Sequence, residues 1–197
     1  MGQKVNPIGF RLGTVYTWSS RWFAQNGDVY AKQLLEDQQL RKFLMENLKA
    51  AGIARVEIER SFDKRTIFVH VSRPGVAIGR GGTGIEQLKA NLIKKFKIQD
   101  PGKLEIKFEE IKAPDLNAYL VAVNIAEQLT RRIPFKRAMN QSLERVKRSG
   151  AKGVRISLKD GAIPLHTIRA IIDFAKIDAK VPKAGIVGIK VWIYKGE

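Results

Sequence analysis

Apolar and polar residues alternate along this chain with two different periods, and the switches between them mark out its elements. Leu40, Phe43, Leu44 and Leu48 recur every three or four residues, the spacing that gathers side chains on one face of a helix. This predicts a helix from an N-cap at Asp28 to about Ala51, with Gly52 as its stop. Period two follows. Val56 and Ile58 share a face opposite Arg55, Glu57 and Glu59, and Ile67, Val69 and Val71 alternate with Thr66, Phe68 and His70. Two strands are predicted, Arg55–Arg60 and Arg65–Val71, joined by a hairpin at Asp63-Lys64 in a sheet with one wet face. Arg73-Pro74-Gly75 breaks the second strand, and Val76-Ala77-Ile78 forms a short apolar stub before a glycine-rich stretch. Ile85, Leu88, Leu92, Ile93 and Phe96 mark an amphipathic helix ended by Pro101-Gly102. Leu104, Ile106 and Phe108 then alternate with Lys103, Glu105 and Lys107 as a third strand.

The second half reads differently. Pro114 is expected to open a helix, with Leu116, Tyr119, Leu120, Val123 and Ala126 as its stripe and an end near Arg131-Arg132. Pro134 restarts a helix with Phe135, Ala138, Met139, Ser142, Leu143 and Val146 turned inward and Gly150 as terminator. Val154, Ile156 and Leu158 alternate into a strand, Lys159-Asp160-Gly161 reads as a turn, and strand-like runs follow at Ile163–Phe174 and Gly185–Tyr194. Helices followed by strands give an α+β layout. There is no internal repeat and no low-complexity tract.

A chain of 197 residues has room for one medium domain or two small ones and buries a core without staples. It contains no cysteine, which excludes a disulfide framework, a thiolate-ligated metal and a catalytic thiol. The 36 Lys and Arg against 19 Asp and Glu leave +17, split +8 and +9 between residues 1–100 and 101–197. So strong a field points to a polyanionic partner and away from a small-molecule substrate. No apolar run approaches the roughly 20 residues of a membrane span, and the first residues carry no secretory h-region. A soluble intracellular protein, with no membrane partner and no cofactor, is expected.

Residues 1–27 hold no acidic side chain, and Lys4, Arg11 and Arg21 are interleaved with Phe10, Tyr16, Trp18, Trp22 and Phe23. Rings in such a segment pack on their own domain, while its cations are free to follow a phosphate backbone. Residues 79–84 then satisfy two patterns at once. Gly79, Gly81 and Gly84 spell the G-x-G-x-x-G of dinucleotide sites, and Gly79-Arg80-Gly81-Gly82 spells the G-x-x-G with which KH modules clamp RNA. The dinucleotide site needs a long buried strand before the glycines, and here that strand is cut at Pro74-Gly75. In the KH reading the glycines let backbone approach the sugar-phosphate, and Arg80 supplies the countercharge. Residues 131–148 form a second cluster: Arg131, Arg132, Lys136, Arg137, Arg145, Lys147 and Arg148 against Glu144 alone. A solvated helix face normally mixes signs, so RNA contact is the favoured reading. His70 and His166 have no metal-ligand neighbours, and neither a catalytic nor a metal site is expected.

Met1–Gly13 (MGQKVNPIGFRLG), Gly79–Gly82, Arg131–Met139 (RRIPFKRAM), Gly150–Gly153 (GAKG), Ile163–Ala170 (IPLHTIRA) and Gly185–Gly196 (GIVGIKVWIYKG) together closely resemble the family of the third protein of the bacterial-type small ribosomal subunit. The resemblance covers nearly the whole chain. It implies an N-terminal rRNA-contacting arm over 1–15, a type II KH domain (αββααβ) over 16–111, and over 112–197 an α+β domain with two helices on a mostly antiparallel sheet. It further implies a structural, non-enzymatic protein of the cytoplasmic ribosome. Its partners would be 16S-type rRNA in the head, mRNA, and neighbouring small-subunit proteins. The family's mRNA-entrance pattern falls on Arg131, Arg132, Lys136 and Arg137, and rRNA contacts are expected from Lys4, Arg11, Arg21, Arg145, Lys147 and Arg148. Two departures stand out. Gly81 replaces a loop cation common in the family, and a basic glycine-rich segment resembling GRLGGAEIAR is missing between Lys159 and Asp160. The competing readings are a free-standing KH-type RNA chaperone or regulator and a nucleic-acid lyase.

Overall fold

The computed structural model describes residues 4–61, 64–96, 104–156, 159–182 and 185–197. The chain divides into two compact units, Trp18–Lys112 and, as a second body, Ala113–Glu197 with the segment up to Thr17. That segment contains one helical turn, α1 (Pro7–Phe10). The Asn6 side chain accepts the N–H groups of Ile8 at 2.9 Å and Gly9 at 3.4 Å, and Pro7 fills the position where a missing N–H costs nothing.

In Trp18–Lys112 a two-residue strand β1 (Ser20–Arg21) precedes helix α2 (Gly27–Asn47), strands β2 (Ile53–Arg60) and β3 (Arg65–Val71), the short helix α3 (Pro74–Ile78), helix α4 (Thr83–Phe96) and strand β4 (Leu104–Glu110). The sheet order is β1-β2-β3-β4, with β2 and β3 antiparallel and β4 parallel to β3, Ile67 opposite Ile106. From α2 onward this is the αββααβ order. The apolar side of the two alternating strands lies in a core with Leu40, Leu44, Leu88 and Leu92 from the helices. Asp28 is the second residue of α2 and not its cap; Asn26 holds the cap position, and the Asp28 carboxylate sits where the helix end is positive. Asp63 and Pro101-Gly102 lie outside the described residues.

One polar network is sealed into this unit. Asp37, on α2, is fully buried and accepts from the Trp22 indole at 2.7 Å, the Ser20 hydroxyl at 3.2 Å and the Arg60 Nε at 2.9 Å. The Arg60 guanidinium also reaches Glu36 and lies 5.7 Å from the Trp22 ring centre. A buried carboxylate is tolerable only when paired and hydrogen-bonded, and here the partners come from β1, β2 and the loop between β1 and α2.

In the second unit a short turn at Pro114–Leu116 leads to α5 (Ala118–Thr130), α6 (Phe135–Arg148), and strands β5 (Gly153–Arg155), β6 (Lys159–Asp160), β7 (Ile171–Val181) and β8 (Gly185–Gly196). The antiparallel sheet runs β6-β5-β8-β7, and α5 and α6 pack on one face through Val121, Ile125, Leu129, Val146, Ala175, Ile189, Val191 and Ile193. Helix α5 starts at Asn117, not Pro114. The Asn117 Oδ1 accepts from Tyr119 and Leu120, while Asp173 of β7 accepts the Ala118 N–H at 3.0 Å. Its inward face is Ala118, Val121, Ala122, Ile125 and Leu129, rotated from the expected stripe, because α5 is apolar nearly all round and the sheet chooses the side. On α6, Ala138, Ser142 and Val146 point in, but Phe135 remains 60% exposed. Lys159 and Asp160 are strand residues paired with Arg155 and Val154, not a turn.

The segment expected as a strand from Ile163 does not enter the sheet before Ile171. Its carbonyls are satisfied elsewhere. The fully buried Arg11 guanidinium donates to the backbone oxygens of Pro164 (3.2 Å), Leu165 (3.1 Å), Thr167 (2.8 Å) and Ala170 (2.7 Å), and to Pro7 (3.0 Å). Five carbonyls gathered around three guanidinium nitrogens, three of them on Nη2, replace a ladder. Burial lowers the Arg11 pKa from its ordinary range, with Tyr16 acting weakly the other way. Arg11→Met keeps the volume and removes every donor. It is expected to cost about 3 kcal/mol or more, since each buried acceptor left unmade costs about 1–3 kcal/mol; urea denaturation followed by circular dichroism measures it.

Candidate nucleic-acid interface

The glycine stretch joins α3 to α4. Gly79, Gly81 and Gly82 all hold left-handed backbone, at φ of 72°, 64° and 83°, a region closed to most side chains. Nothing lies within 4 Å of where a Cβ would stand on Gly81 or Gly82, and Gly81 is exposed. Gly84 serves another purpose. A Cβ there would lie 2.8 Å from the Ile78 oxygen and 2.9 Å from the Ala77 oxygen, so the first turn of α4 packs backbone to backbone on the end of α3. The bend therefore presents amide groups at the start of a 14-residue helix, a geometry suited to phosphate. The countercharge expected from the Arg80 side chain lies outside what is described.

The second cluster surrounds the corner between α5 and α6. Helix α5 ends in a Schellman arrangement: the Ile133 N–H donates to the Gln128 oxygen at 3.1 Å and the Arg132 N–H to the Leu129 oxygen at 2.9 Å. Arg132 occupies the left-handed position, φ 63°, where glycine is usual, and among the described residues it alone is a non-glycine with positive φ. Arg131, Arg132, Lys136 and Arg137 are all exposed. None of the four has a carboxylate within ion-pair distance among the described residues. The cationic side of α6 faces outward, since Ala138, Ser142 and Val146 anchor the other side.

The remaining expected contacts fare unevenly. Arg11 is not available to RNA, because its charge is buried under five carbonyls. Arg21 pairs with Glu57 and Glu59, both at 2.8 Å, as a neighbour of β2 in the sheet. Arg145 donates to Asn124 at 2.9 Å in a polar seam between α5 and α6, and Lys147 pairs with Asp160 at 2.9 Å. Arg148 keeps only a long, exposed pair with Glu144, and Lys4 is exposed. On the open face of the first sheet, Arg55, Lys64, His70 and Lys107 answer Glu57, Glu105 and Glu109, so that face neutralises itself. Among the described residues no group of three or more His, Asp or Glu could hold a metal, and no helix is long and apolar enough to cross a membrane.

Sequence reasoning missed a set on the second sheet. Arg155 lies 5.3 Å from the Trp192 ring, Trp192 lies 5.1 Å from Phe174, and Lys190 stands directly opposite Lys176. The signal was present in the alternation of β7 and β8, but only the register aligns these positions.

A family model described as KH domain matches residues 39–116. Among curated relatives, the Small ribosomal subunit protein uS3 of Caldicellulosiruptor saccharolyticus is 43% identical over 212 residues, covering all of this chain and 93% of the relative. That of Clostridioides difficile is 44% identical, covering all of this chain and 76% of the relative, and that of Pelagibacter ubique 42%, covering 91% of the relative. Each alignment spans 212 residues against the 197 of this chain, so the relatives carry residues that it lacks.

Two variants probe this geometry. Gly84→Ala is expected to force α3 off α4 and loosen the loop, whereas Gly81→Ala costs only its backbone strain, about 1 kcal/mol; hydrogen exchange of the 78–86 amides separates them. Arg132→Gly is expected to stabilise the fold by about 1 kcal/mol while lowering the log–log salt slope for single-stranded RNA by about 0.7. Thermal melts and salt titrations of binding read both effects.

Proposed function

Because the chain belongs to the family of Small ribosomal subunit protein uS3, we propose that it lines the channel through which mRNA enters the small subunit, with Arg131, Arg132, Lys136 and Arg137 meeting the incoming strand. The family assignment makes it a structural, rRNA-binding ribosomal protein with a KH domain, working on the cytoplasmic ribosome rather than as an enzyme. Binding of 16S-type rRNA in the head, through the Gly79–Gly82 loop, Lys4 and Arg148, and contact with neighbouring small-subunit proteins belong to the same proposal. The observation that carries it is the set of four exposed cations at one helix corner with no carboxylate beside them among the described residues. Such a set repels itself until an anion arrives. A strand passing it is gripped by phosphate and not by sequence, which suits a site that every message crosses. The protein supplies position and charge; work against a structured message comes from translocation.

Replacing Arg131, Arg132 and Lys136 together with alanine is expected to leave the chain on small subunits through a salt wash in a sucrose gradient, yet to slow translation through a stable hairpin. Unchanged passage through the hairpin counts against the channel role. Loss of the unmodified chain from small subunits in the same wash favours a free-standing RNA chaperone.

A further inference from the structure

The second unit has a groove of about 500 Å³ lined by Ile125, Leu129, Phe135, Met139, Arg155 and Ile156 and by Val187–Lys190 and Trp192 of β8. It lies where the sheet is incomplete: β5 pairs with β8 only over Trp192–Tyr194, and toward Gly185 that side of β8 has no strand partner among the described residues. The walls are apolar and aromatic. Every charged side chain in the lining is a cation, Arg155 or Lys190, and no carboxylate joins them.

Two features of this groove are unfavourable in the chain by itself. Phe135 is 60% exposed at its rim, immediately before Lys136 and Arg137. Lys190 faces Lys176 directly across the β7–β8 ladder, both are exposed, and like charges so placed destabilise a sheet. Asp178, opposite Gly188, is the one carboxylate in that stretch of ladder. An apolar ligand would answer the phenyl ring and leave the lysines repelling; a simple anion would do the reverse. A nucleotide answers both, with a base to stack on the ring and a phosphate to meet Lys190 beside Arg155.

We infer that this groove receives one unstacked nucleobase of single-stranded RNA, stacked on Phe135 with Trp192 as the far wall, its phosphates held by Arg155 and Lys190. The volume is of the size that encloses one small ligand. The inference rests on the proposed passage of an RNA strand at Arg131–Arg137, and adds to it a grip on the base where the cations grip only the backbone.

The test uses the full chain with two probes: hexauridylate carrying one 4-thiouridine, and a strand with equal phosphates but abasic riboses. Phe135→Ala is expected to weaken hexauridylate binding by about 5- to 150-fold and to leave the abasic strand within twofold, with Phe135→Tyr restoring the difference. Photo-crosslinks are expected on peptides containing Phe135 or Trp192. Equal weakening of both strands, no weakening of either, or crosslinks confined to other peptides such as the glycine loop, overturns the inference. The triple alanine variant separates the two claims, since it is expected to weaken both strands alike. If it weakens neither while Phe135→Ala still discriminates, the cation reading fails and the base site stands; the opposite pattern removes the base site alone.

Discussion

Thirty-six cationic side chains on 197 residues repel one another, and the fold persists only where each is given a partner or left in water. The two units meet this constraint differently. Trp18–Lys112 holds 18 basic and 12 acidic residues, and the remainder holds 18 and 7. In the first unit the carboxylates stand among the cations, as Glu57 does between Arg21 and Arg55. The sheet is held together by the charges that would otherwise burst it. In the second unit there are too few carboxylates for that arrangement: Lys147 and Lys195 each meet one, Arg145 turns to Asn124, Arg11 sinks its charge into backbone carbonyls, and the four cations at the α5–α6 corner stay exposed.

Arg11 and Asp37 show why burial and binding exclude each other for a charged group. Each is fully enclosed, and enclosure is tolerable because every polar atom is met inside the protein. A guanidinium so met has nothing left to offer a phosphate. The cations at the α5–α6 corner are in the reverse state: solvated, unmet and therefore transferable to an anion at little desolvation cost. Whether an arginine serves the fold or the ligand is thus decided by its neighbours and not by its residue type.

That distinction also marks how far the sequence could be read. Period and breaker residues located α2, β2, β3, α4, β4, α6 and β8, because those patterns are local, but reached only Ile171–Phe174 of β7. The inward face of α5 was not legible, since a helix apolar on most sides has no preferred stripe until a sheet is laid against it. The 163–170 segment has a strand's composition, but its carbonyls bond to a side chain more than 150 positions earlier, a partner that no local window contains. Absence of acidic residues near Arg21 in sequence led to the expectation of a free cation; Glu57 and Glu59 arrive through strand pairing. The exposed corner was legible because its charge is contiguous and its pairs, had there been any, would have been one helical turn away.

Three costs gather in the second unit that packing does not repay: a left-handed backbone at Arg132, a phenyl ring in water at Phe135, and two lysines face to face at Lys176 and Lys190. Each alone is small, about 1–2 kcal/mol for the backbone at Arg132 and about 1 kcal/mol or less for the facing lysines. They differ in kind, one conformational, one apolar and one electrostatic, so no single local flaw produces all three. Glycine, a polar residue and a carboxylate would remove them one by one, and the chain retains none of these. On the reading proposed above, a single-stranded polynucleotide would answer the last two together and offer a phosphate to the exposed Arg132. Departures from local preference that one class of ligand would repay are what distinguishes a binding surface from a poorly made one.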